Sequence, residues 1–145
     1  MSSPGDHLRR IVLRVHGTIL FVVTTVSMVI ITIGYNTGQG MYGMLPAQPL
    51  GFGGLYQAYA LMFVIAVALW LGSTTDRPRL FNVVGLLAHV PLIIGNLFFA
   101  GVFAQVAEGN VSWISLPIHA TLAGVELFAV LWRRSTAAIA VPVRS

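Results

Sequence analysis

The chain contains no cysteine, no lysine and only four acidic residues among its 145. Without cysteine there can be no disulfide, thiolate metal site, iron–sulfur cluster or cysteine nucleophile. Charged residues make up 8% of the chain, against about 25% in a soluble domain, too few to solvate a globular surface. There is no phosphate-binding loop, no Ser/His/Asp spacing and no pair of carboxylates. No motif therefore names a reaction, and the chain reads more readily as non-catalytic than as an enzyme. No basic patch is interleaved with aromatics, so nucleic acid is not an expected partner.

Apolar residues are abundant. They form 57% of the sequence, and the mean hydropathy is +0.85. Four runs, at about 11–34, 54–71, 80–105 and 113–132, approach or exceed the roughly 20 residues that cross a bilayer as a helix. The first is rich in β-branched residues (Val22, Val23, Thr24, Thr25, Val26). In hydrocarbon the backbone must satisfy its own hydrogen bonds, so a helix is expected there too. This run is too long for the apolar core of a cleavable signal, and no small-residue cleavage pattern follows it, so it should remain as an anchor. The expected fold is an all-α integral membrane protein: four transmembrane helices in an antiparallel bundle, one membrane domain over residues 1–145.

The eight basic residues are all arginines: Arg9, Arg10, Arg14, Arg77, Arg79, Arg133, Arg134 and Arg144. Each precedes or opens the first run, falls between the second and third, or follows the fourth. Segments rich in Lys or Arg stay cytoplasmic, so both termini are expected inside, in a multi-pass protein of the inner (plasma) membrane. Arginine without lysine, beside much Ala, Gly and Val, suggests a GC-rich bacterial genome. Aromatics mark both interfaces, with Tyr35, Tyr56 and Trp113 outside and Trp70 and Trp132 inside. The outer loop at 35–53 holds five glycines and two prolines but also Met41, Tyr42, Met44, Leu45, Leu50 and Phe52. Such a loop should fold back over the bundle or lie at the interface; the alternative is a docking surface for a larger partner.

Ionisable groups inside a span are expensive and point to function. Here they are His16, His89, His119 and Glu126, with Asn96 as a neutral hydrogen-bonder. His89 and Asn96 are seven residues apart, as are His119 and Glu126, close to two helical turns, so each pair shares a face. In an antiparallel hairpin, facing positions have a constant sum. A sum of 215 aligns His89 with Glu126 and Asn96 with His119 together. His16 should come near the level of the first pair, and His119 should lie too far outward to join His16 or His89.

Several uses fit this cluster. It can be interhelical glue, a proton or cation site at His89 and Glu126, or the ligand set of one b-type haem on His16 and His89. His16, His89 and Glu126 would supply only three ligands to a metal, and no metal site is expected; no cofactor is expected beyond the haem alternative. The leading functional expectation is a small non-catalytic subunit or accessory protein of a larger membrane complex, a respiratory one among the candidates. The alternatives are a small proton-coupled transporter or channel using His89 and Glu126, and a one-haem electron carrier. Expected partners are the lipid bilayer and other membrane subunits or further copies of the chain.

Overall fold

A computed structural model describes residues 4–100 and 110–132. Four helices dominate: α1 (Pro4–Thr37), α2 (Pro49–Gly72), α3 (Pro78–Phe98) and α4 (Asn110–Leu131), with a short 3-10 turn at Leu45–Ala47. Among the described residues there is no strand. All four helices are long and apolar enough to cross a membrane. The end of the expected third run (101–105), the turn after it that carries Glu108, and Arg133, Arg134 and Arg144 lie outside the described residues.

The helices begin earlier than the apolar runs. Pro49 and Pro78 open α2 and α3, where a proline lacks nothing the helix needs, because the first N–H groups have no partner in any case. Gly51 and Gly53 were expected to help break the chain and are helical instead. The non-helical outer segment is correspondingly shorter than 35–53. α1 stops where Gly38 takes φ 66° and Gly40 φ 73°, a left-handed conformation that suits glycine at a helix end.

The outer segment folds back, as its apolar content implied. A Cβ added to Gly34 would lie 2.7 Å from Cβ of Tyr42. Tyr35 stacks on Phe52 with ring centroids 4.0 Å apart.

α1 packs along α2, and α3 along α4; α1 also meets α3 and α4, and α2 meets α3, whereas among the described residues the backbones of α2 and α4 do not approach each other. The α1–α3 pair is thus the short diagonal of the bundle, and its facing side chains are the most enclosed. Leu13, Leu20, Ala66 and Leu69 form the apolar part of the interior. Gly17 lets α1 approach α2, since a Cβ there would sit 2.9 Å from the carbonyl oxygen of Ala66. Most other large apolar side chains face outward, Val22, Ile33, Leu61 and Leu97 among them. That is the arrangement expected when the surrounding solvent is hydrocarbon. α3 and α4 carry interior prolines, Pro91 and Pro117.

The five described arginines gather at one end of the bundle. Arg9 Nε donates to the Ala129 carbonyl (3.0 Å) and Arg9 Nη2 to that of Trp132 (2.9 Å), tying the start of α1 to the end of α4. Arg10 Nη1 donates to the Ser73 carbonyl (2.8 Å) and Arg14 Nε to Ser73 Oγ (3.2 Å), tying it to the end of α2. Arg77 and Arg79 flank the start of α3. Cations there complement the negative C-terminal ends of α2 and α4.

Candidate functional site

Three helices contribute polar side chains to one column, buried from Glu126 to His89 and half-buried at His119, Asn96 and Ser115. His16 comes from α1, Asn82, His89 and Asn96 from α3, and Ser115, His119 and Glu126 from α4. His89, Glu126 and Asn82 are wholly buried, and His16 is 2% exposed.

The contacts form a chain. Asn82 Nδ2 donates to Glu126 Oε2 at 2.7 Å. Glu126 Oε1 lies 2.5 Å from His16 Nδ1. His16 Nε2 lies 2.8 Å from His89 Nε2, with the two rings stacked. His89 Nδ1 lies 3.0 Å from His119 Nδ1. One turn further along α4, Ser115 Oγ donates to Asn96 Oδ1 at 2.8 Å, and Asn96 Nδ2 donates to the Leu92 carbonyl.

The structure therefore gathers His16, His89, His119 and Glu126 into one connected group and places Asn96 beside it, bonded to Ser115. The expected hairpin register is corrected. Hydrogen bonds between α3 and α4 join Asn82 to Glu126 and His89 to His119, each with position numbers summing to 208 rather than 215. The partner of His89 on α4 is thus seven residues from the one expected, two turns away. His119 is not too far outward to reach His89. Two seven-residue spacings on facing helices admit both alignments, because slipping one helix by two turns brings the same face back. Asn82 was overlooked, although it stands seven residues before His89 and continues the same face of α3.

Gly85 makes room for the carboxylate. A Cβ at that position would lie 2.8 Å from Glu126 Oε1, so the absence of a side chain lets α3 close over the acid. Asn82 Oδ1 is buried with no hydrogen-bond partner.

The links dictate where protons sit. A contact between two ring nitrogens holds one proton, and a neutral imidazole has one to give. With Glu126 ionised and all three rings neutral, a single assignment completes every bond. His16 donates from Nδ1 to Glu126, His89 from Nε2 to His16, and His119 from Nδ1 to His89, leaving His119 Nε2 bare. With Glu126 protonated on Oε1, every donor reverses, and His119 carries its proton on Nε2. The two assignments differ by one proton, taken up at one end of the chain and held at the other.

The same geometry does not fit a bis-histidine haem. Such ligation needs two ring nitrogens aimed at iron from opposite faces of a flat macrocycle. Here Nε2 of His16 and of His89 meet each other at hydrogen-bond distance, with no gap for a porphyrin. Among the described residues, no three His, Asp or Glu side chains converge to hold a metal ion. The chain matches no known protein family, curated protein or solved structure.

Proposed function

We propose that this chain is a multi-pass membrane protein that moves protons within its bundle, with His119, His89 and His16 as the relay and Glu126 as the terminal acceptor. The observation that carries this reading is the unbroken series of contacts from Glu126 to His119, made through both nitrogens of His16 and of His89. A proton arriving at His119 Nε2 converts that ring to the imidazolium. The proton on His119 Nδ1 then passes to His89 Nδ1. The one on His89 Nε2 passes to His16 Nε2, and the one on His16 Nδ1 to Glu126 Oε1. Charge moves along the chain without any heavy atom crossing the bilayer. Simple helix–helix glue would not require His16 and His89 each to use both nitrogens in series.

The proposed setting is the inner (plasma) membrane of a bacterium, with the arginine-bearing end and both termini on the cytoplasmic side. Glu126 would then lie nearer the cytoplasm and His119 deeper in the membrane.

Purified protein in liposomes containing a pH-sensitive dye tests the proposal. An imposed potential should drive proton entry in wild type, and Glu126→Gln should reduce it at least tenfold. Gln can still accept from His16, and Asn82 can turn its amide so that Oδ1 accepts from the new amide, so the fold is kept while the titrating group is lost. Equal flux in wild type and Glu126→Gln would reject the relay.

A second reading follows from the length of the relay. Glu126 to His119 is seven residues, about 10 Å of helix at 1.5 Å per residue, against a hydrocarbon core of about 30 Å. Asn96 and Ser115 extend the polar column by only one further turn. A short internal path suits a small subunit that hands protons to or from a partner chain, or a second copy of itself, in a larger membrane complex. Stoichiometric co-purification from native membranes, with flux restored only in the assembled complex, distinguishes this reading.

A further inference from the structure

Independently of the relay, we infer that the arginine-bearing end of the α1–α2 pair is a binding site for an anionic phospholipid, its phosphate held by Arg10 and Arg14 and one acyl chain lying in the groove between the two helices.

Two positively charged side chains converge on one residue. Arg10 and Arg14 both donate to Ser73. The ion pairs among the described residues are Arg9–Asp6 and His16–Glu126, so neither Arg10 nor Arg14 has a carboxylate partner there. The end of α2 supplies only about half an elementary negative charge, against two full positive charges. Arg14 is exposed and uses only Nε in its bond to Ser73, which leaves both terminal nitrogens of its guanidinium to face an anion. An arginine fork matches phosphate geometry and binds it through charge-assisted hydrogen bonds.

An apolar groove begins one turn away. It has a volume of about 360 Å³ and is lined by Gly17, Thr18 and Phe21 of α1 and by Ala66, Val67 and Trp70 of α2. Arg14, Thr18 and Phe21 stand at i, i+4 and i+7, hence on one face of α1, and Trp70 is one turn before Ser73. The groove thus runs from the arginines toward the membrane interior, as an acyl chain runs from its phosphate. Gly17 shapes its floor by bringing the α1 backbone onto α2. Its outer walls, Thr18, Phe21, Val67 and Trp70, are exposed, so the groove opens sideways to lipid. Trp70 lies where an amphipathic ring prefers the headgroup level. Basic pockets between helices at this level recognise anionic headgroups. A zwitterionic lipid would fill the groove equally well but would bring a compensating positive charge to the arginines.

Full-length protein exchanged into mixed micelles of phosphatidylglycerol and phosphatidylcholine, then read by native mass spectrometry, provides the test. The expected result is retention of phosphatidylglycerol at least tenfold above phosphatidylcholine. That preference should be lost in the Arg10→Gln/Arg14→Gln double variant. Val67→Trp fills the groove from its lipid-facing wall and keeps both arginines, so it serves if the double variant does not fold; it should lower retention of phosphatidylglycerol at least fivefold. Millimolar inorganic phosphate should not displace the lipid. Equal retention of the two lipids, unchanged retention in a folded variant, or displacement by inorganic phosphate would each overturn the site. None of these outcomes bears on proton flux through His16 and Glu126.

Discussion

His89 faces His119 across the α3–α4 pair, with their Nδ1 atoms 3.0 Å apart, and turns its other ring nitrogen to His16 on α1. One imidazole thereby joins three helices, and the loss of either neighbour leaves a buried nitrogen without its partner.

The ring that links Glu126 to His89 should be highly sensitive. His16→Ala removes the contacts to both Glu126 and His89. Polar contacts inside membrane bundles measure about 0.6 kcal/mol on average and about 1.7 at most. Two such losses should lower stability by about 1–3 kcal/mol, read as unfolding in mixed micelles. Proton flux should fall at least as far as in Glu126→Gln. A stable His16→Ala protein with wild-type flux would remove His16 from the path.

Gly85→Ala should act through Glu126 without touching a titratable group. The new Cβ would come within 2.8 Å of Oε1, so the carboxyl group or the helix must move. Overpacking of this kind costs about 1–3 kcal/mol. Gly124→Ala is the matched control, since nothing lies within 4 Å of the added carbon; the extra helix propensity should leave it neutral or slightly stabilised. Thermal unfolding of both variants in detergent decides the matter, and equal midpoints would mean that Gly85 is not a spacer for the acid.

Arg9 should matter more through the carbonyls at the end of α4 than through its ion pair. Arg9→Gln loses its bonds to Ala129 and Trp132, and hydrogen bonds to charged groups contribute about 1.5–3 kcal/mol. Asp6→Asn weakens the partly exposed pair with Arg9, of the kind worth about 0–1 kcal/mol. Denaturant titration should therefore show the larger loss in Arg9→Gln; the reverse order would relocate the value of Arg9 to Asp6.

Sidedness can be read with single cysteines, since the chain has none of its own. A cysteine at Thr37 should label from outside and one at Thr74 only from inside. Thr74 is exposed, whereas the neighbouring Ser73 is wholly buried and would be a poor reporter. The opposite pattern would reverse the proposed orientation.

Alkaline pH should loosen the outer segment through Tyr42. Burial, helped by the neighbouring Tyr59, raises its pKa from 10.0 to about 12. The folded protein then holds a proton that the unfolded chain releases, so this contribution to stability is complete below pH 10 and is lost as pH rises to about 12. Tyr42→Phe should show a shallower decline over that window than wild type. Parallel curves would mean that Tyr42 ionises alike in both states.

Much of the fold was legible because hydrocarbon makes a simple demand: about 20 apolar residues, helical, with polar groups turned inward. Four runs met it, and four helices formed. The boundaries were less legible. Gly51 and Gly53 looked like helix breakers, but they sit in the first turns of α2, just after a proline suited to starting it. Within the site, residue identity was easier to read than register. His16, His89, His119 and Glu126 stand out as costly groups in apolar runs, but a repeat of seven on both α3 and α4 aligns equally well after a slip of two turns. Asn82, near the start of α3, was not singled out; only its continuation of the seven-residue spacing marks it as a member of the column. Arg9, Arg10 and Arg14 announced a side of the membrane, while their bonds to the ends of α2 and α4 depend on packing that no local pattern encodes.

The interior prolines have a consequence for motion. Pro91 and Pro117 also have position numbers summing to 208, so the α3–α4 register sets them level, two residues past His89 on one helix and two before His119 on the other. Each removes a backbone hydrogen bond from its helix and crowds the turn before it. Both helices are thus weakened at one depth, next to the His89–His119 contact, while the Asn82–Glu126 end is held by Gly85 packing and the arginine ties below it. The two prolines thus mark a waist in the α3–α4 pair where the backbone ladder is interrupted. Bending at that waist would lengthen the His89–His119 gap, and there the proposed proton path would open and close.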